Sequence, residues 1–137
     1  REASVKIGRQ FLNTIKNLLT TPELESYANL VKEGKAQGHK ALAFAFLGHG
    51  FDWGEDLSVL AFMYSTASGM VNSAIRAVPL GKTTGQNVLQ NLRLRGIVAK
   101  AAAMSKALTI DDIGAVAPGL EIRAMQHEQL YSRLFAS

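Results

Sequence analysis

Apolar positions return every three or four residues through most of this chain, the spacing of one face of a helix. Within residues 1–19, Phe11, Leu12, Ile15, Leu18 and Leu19 form such a face, with Lys6, Arg9, Gln10, Asn13 and Lys16 on the polar side. Thr21-Pro22-Glu23 then reads as a helix start: a hydroxyl N-cap, proline at the first helical position and an acid in the first turn. Leu24, Tyr27, Ala28 and Val31 give the second helix its buried side, and it is expected to end near Gly34. Gly34 to Gly38 is a turn. Leu42, Phe44 and Phe46 alternate as a strand would, but alanines fill the spaces and no partner strand is evident. Residues 39–47 are therefore expected to form a short buried helix.

The chain then reaches its longest uncharged stretch, nineteen residues from Leu57 to Ile75, fenced by Asp56 and Arg76. Leu57, Leu60, Tyr64, Ala67, Val71, Ala74 and Val78 make one helical stripe, and Val59, Met63, Thr66 and Met70 a second. A helix apolar on two sides is normally covered by neighbours, so this segment is expected to be the buried central helix of the fold. Its small run, Ser65 to Gly69, would let another backbone come close, and Asp52 or Asp56 can cap its start. About twenty apolar residues also suffice to span a bilayer. Seven of the nineteen are Ser, Thr, Asn or Gly, however, and Asn72 would need a partner inside lipid. A membrane-associated helical protein using residues 57–75 is thus the alternative, and a buried helix the preferred reading.

Pro79, Leu80 and Gly81 stop that helix. Thr83-Thr84-Gly85-Gln86 fits a capping box, opening a helix with Val88, Leu89 and Leu92. Arg95-Gly96 breaks or bends the chain before Ile97, Val98, Ala101, Met104 and Leu108. Thr109 to Asp112 is another cap-like signal, Ala117-Pro118-Gly119 another breaker, and a last helix is expected from about Leu120 to Phe135. The class is all-α: one helical bundle over residues 1–137, built around a central buried helix.

Composition narrows the function. Cysteine is absent, which removes disulfides and thiolate metal sites. The net charge of +4 is spread without a basic run, so no nucleic-acid partner is expected. His39, His49 and His127 are far apart, and the adjacent His127-Glu128 points in two directions on a helix, so no metal site is expected. Gly81-Lys82-Thr83 imitates the end of a phosphate-binding loop, but Arg76 stands where the motif needs glycine and a helix precedes it. No serine is flanked by glycines at a strand–turn–helix elbow, and no base is oriented by a third group. These residues describe a protein without catalytic groups or a cofactor. The chain begins with Arg rather than Met, which suggests a fragment or processed product.

One segment is idiosyncratic: Pro118-Gly119-Leu120-Glu121-Ile122-Arg123-Ala124-Met125-Gln126-His127-Glu128-Gln129-Leu130-Tyr131-Ser132-Arg133-Leu134-Phe135-Ala136-Ser137. With Val78-Pro79-Leu80-Gly81 and Gly85-Gln86 upstream, it closely resembles the UreF family of urease accessory proteins. The resemblance implies the C-terminal two-thirds of a helical, non-catalytic, cytoplasmic scaffold, a homodimer at full length. Its partners would be the accessory protein UreD/UreH, the nickel-carrying GTPase UreG and the urease apoprotein that receives nickel. Carried over by position, the tail contacts are His127, Glu128, Tyr131, Ser132, Arg133, Leu134 and Phe135, and Tyr64 is the central-helix contact. Two departures stand out. The family's Ser-His-Gly-rich N-terminal part is absent, and Leu60 and Phe62 stand where some relatives have Arg and Tyr. The packing of Leu130, Tyr131, Leu134 and Phe135 on their own bundle is the competing account of the tail.

Overall fold

The computed structural model describes residues 2–78, 81–112, 114 and 118–128. The helices are α1 (Glu2–Lys16), α2 (Pro22–Lys32), α3 (Lys40–Gly50), α4 (Gly54–Ala77), α5 (Lys82–Leu94), α6 (Ile97–Ser105) and α7 (Pro118–Glu128), with a single 3-10 turn at Ile110–Asp112. Among the described residues there is no strand, so the all-α expectation holds.

Local chemistry sets most boundaries. Thr21 caps α2 as expected, its hydroxyl accepting from the Leu24 amide at 3.2 Å, with Pro22 opening the helix. Gly96 has φ of 63°, and this left-handed residue separates α5 from α6 outright. Three cap expectations fail. Asp52 turns the chain with φ of 54°, and Asp56 lies inside the first turn of α4, so neither caps it; Trp53 takes that place without a side-chain bond. Glycine is an adequate N-cap, and Gly81 fills that role for α5 in place of the Thr83–Gln86 box. α7 begins at Pro118, two residues before the expected start at Leu120.

Burial is concentrated in the first three helices. Leu12 and Ile15 of α1, Leu24 and Tyr27 of α2, and Ala43, Phe44 and Leu47 of α3 form one cluster. α3 lies between α1 and α4. Phe44 stacks on Phe11 of α1 at 5.8 Å and meets the edge of Phe62 of α4 at 5.4 Å. Gly8 of α1 runs so close to the Gly38 carbonyl and Lys40 amide that a Cβ there would overlap both. Tyr27 stacks on Phe46 at 4.8 Å, and its buried hydroxyl makes no hydrogen bond of good geometry. Burial raises its pKa, and the nearby Gly38 backbone offsets this in part.

α4 corrects the expectation of a buried central helix. It is central, packing against α3, α5 and α6, yet none of its residues is fully buried. Its facing neighbours are short: Ala99, Ala102 and Ala103 of α6 lie opposite Val59 and Leu60 without filling the space. No backbone approaches Gly69; the near approach is at Gly85 of α5, where an added Cβ would meet Ile75 and Val71. Ser58 and Thr66 of α4 bond along the helix, Ser58 donating to the Gly54 carbonyl at 2.7 Å and Thr66 to that of Phe62 at 3.0 Å, while Ser65 accepts from Lys40 of α3 at 3.4 Å. Among the described residues no helix is long and apolar enough to cross a membrane, so the alternative is not favoured.

Ile15 is 0% exposed and Met70 69% exposed. Ile15→Ala is therefore expected to cost about 2–5 kcal/mol and Met70→Ala under about 0.5 kcal/mol, compared by denaturant unfolding. Thr21→Ala is expected to cost about 1 kcal/mol through the lost cap, read as a lowered Tm with an unchanged circular-dichroism spectrum.

Candidate partner-binding surface

The exposed stripe of α4 is the most distinctive surface. Leu57, Leu60 and Tyr64 follow at helical spacing and are 49%, 36% and 43% exposed. With Arg93 of α5 and Val98 and Ala99 of α6 they line an open groove of about 430 Å³. From α6 only Val98 and Ala99 reach it, side chains too short to close it. Leu60 and Ala99 also line a smaller cavity of about 190 Å³ beside it, which Glu55, Asp56 and Lys106 border.

The far end of α6 is clasped to α4 by Lys106 and Asp56, 2.6 Å apart. The hydrogen bond and charge of Asp56 raise the Lys106 pKa, with Glu55 adding to it. A raised lysine contributes most below its unfolded pKa and loses that contribution as pH climbs through the folded one, so the clasp is intact at neutral pH. Both side chains are largely exposed, and such a pair positions more than it stabilises. Just beyond, Asp112 accepts from the Thr109 amide at 2.7 Å and hydroxyl at 2.9 Å, which lowers its pKa.

Of the residues singled out in the sequence, Tyr64 stands on this groove. His127 and Glu128 end α7; Tyr131, Ser132, Arg133, Leu134 and Phe135 lie outside the described residues. Arg93 was not singled out, since a lone arginine on an amphipathic helix carries no signal until its neighbours are known. Phe62 faces inward onto Phe44, with the Lys40 ammonium 5.8 Å from its ring centre, so it is not part of the exposed stripe. Leu60 is the member of that pair at the surface.

Chemistry of other kinds is not assembled. Among the described residues no group of three or more His, Asp or Glu side chains could hold a metal ion. His39 has the Ser4 hydroxyl 3.5 Å from Nδ1. Lys82 and Thr83 lie in the first turn of α5, after a helix rather than a strand. The surface offers apolar area bordered by a tyrosine and an arginine, the side chains that most often dominate protein interfaces.

Comparison with known proteins gives this surface a context. The UreF family model matches residues 1–93. The whole chain aligns with urease accessory proteins UreF: 38% identity over 137 residues with that of Paenarthrobacter aurescens strain TC1, and 38% over 137 with that of Arthrobacter sp. strain FB24. Identity is 33% over 137 residues with that of Bacillus sp. strain TB-90. The chain spans about 60% of the length of each of these relatives. No solved structure matches it. The chain belongs to the UreF family of urease accessory proteins.

Proposed function

We propose that this chain is the helical scaffold part of a urease-maturation protein, with no reaction of its own. In this reading it joins UreD/UreH through its C-terminal tail and meets the GTPase UreG on the α4–α6 face. The assembly delivers nickel to the urease apoprotein in the cytoplasm, and the full-length protein acts as a homodimer. The observation that carries the reading is the half-exposed stripe Leu57–Leu60–Tyr64 opening on Arg93, in a chain of this family. An apolar groove with Tyr and Arg at its border has the make-up of an interface centre, not of a reaction site.

The tail supports the same reading from another direction. α7 makes no extensive packing with another helix among the described residues. Ile122 and Met125 on it are 54% and 63% exposed, so apolar side chains near the carboxyl end stand uncovered by the bundle. A protein whose grip lies there can lose it without losing its core.

Removing residues 123–137 is expected to abolish co-purification with UreD/UreH while the remaining helices keep their unfolding transition. A truncated chain that still captures that partner ends the docking claim. The paired changes Leu134→Asp and Phe135→Asp should act in the same direction; unaltered complex formation would favour packing within the bundle instead. Tyr64→Ala, combined with Leu57→Asp, is expected to lower UreG capture by a preformed complex about tenfold or more. UreD/UreH capture should be unaltered by that pair, both measured in one pull-down series.

A further inference from the structure

We propose that the cleft between α1 and α2 is a docking site for an acidic polypeptide segment whose carboxylates are spaced about two helical turns apart. This goes beyond the maturation role and uses a different face of the molecule from the α4–α6 groove.

The cleft measures about 410 Å³ and is lined on its polar side by Arg9, Asn13 and Lys16 of α1 and Asn29 and Lys32 of α2. Its floor is Leu12, Ala28 and Val31. Three cations and two carboxamides thus converge over an apolar base, and no carboxylate lines it. Among the described residues the ion pairs are Lys35–Glu33 and Lys106–Asp56. Glu33, next in sequence to Lys32, is therefore engaged by Lys35 at 2.7 Å, and Lys16 and Lys32 have no acidic partner within that set. Glu25, one turn before Asn29 on α2, is the nearest acid along that helix and is not among the lining residues. Arg9 is held in place, its Nε donating to the Gln37 carbonyl at 3.2 Å while its stem packs on Gly38.

Spacing selects the ligand. Arg9 and Lys16 lie two turns apart on α1, about 10 Å along the axis. A single phosphate or sulfate cannot reach both ends. A segment with acids at matching intervals can, and its aliphatic stems would cover Leu12 and Val31. Uncompensated cations spaced along the cleft, with Arg9 held on the Gln37 carbonyl, attract such a segment from solution and set its register.

The test uses the whole chain and a labelled helical peptide carrying glutamates two turns apart, followed by fluorescence anisotropy. Binding is expected for the wild-type chain, weakened by added salt, and absent for a peptide with lysines in the same places. Lys16→Glu with Lys32→Glu should weaken binding about tenfold or more, and the milder Lys16→Gln with Lys32→Gln should do so to a lesser degree. Thermal unfolding checks that each variant keeps its fold. Lys100→Glu, an exposed change on α6, should leave binding unaltered. Three outcomes overturn the proposal: no binding by the wild-type chain, an equal loss with Lys100→Glu, or displacement of the peptide by inorganic phosphate at constant ionic strength.

Discussion

The clamp that Phe44 forms between two helices is the contact on which the rest depends. Its ring stacks on Phe11 of α1, meets the edge of Phe62 of α4 and lies 6.1 Å from the ring of Trp53 in the turn between α3 and α4. An aromatic side chain buries more area than any other kind and adds a geometric preference for stacked or edge-on neighbours. One residue thereby fixes the positions of α1, α3 and α4 relative to one another. The close approach at Gly8 follows from this clamp, since α1 can lie against the backbone before α3 only where it has no side chain.

From that clamp the molecule becomes less dense toward α6. α1, α2 and α3 bury leucines, an isoleucine and aromatic rings against one another, whereas α5 contributes the buried Leu89 and α6 faces α4 with alanines. A leucine pressed on alanine covers only part of its surface, so α4 keeps one side packed on α3 and the other partly open. This half-covered apolar stripe is the area on which the proposed partner contact would form. The ion pair of Lys106 and Asp56 then holds α6 in place beside the groove without closing it.

The two surfaces differ in what they can recognise. The α4–α6 groove is apolar with a tyrosine and an arginine at its border, and shape and buried area would govern its contacts. The α1–α2 cleft is polar with cations at intervals, so charge and spacing would govern there. They are built on different helices, α1 and α2 for one and α4, α5 and α6 for the other, and α3 packs against both α1 and α4.

How much of this was legible beforehand depends on which link is asked about. Helix class, the Thr21 cap, the turn at Gly34 and the break signal at Arg95-Gly96 follow from the local chemistry of neighbouring residues, and the chain carries that chemistry in order. Tyr64 was singled out only through resemblance to a family, and it stands on the α4–α6 groove. Burial was legible for one helix and not for another. Residues 39–47 read as a short buried helix, and α3 is buried; the uncharged run of α4 looks like a core helix, and it is not. The reason is that a helix covered on two sides needs no amphipathic period, while an uncharged helix is buried only if its neighbours bring enough volume. Residue order determined the elements and their ends; the size of the side chains that tertiary packing brought opposite α4 decided that its stripe stayed open.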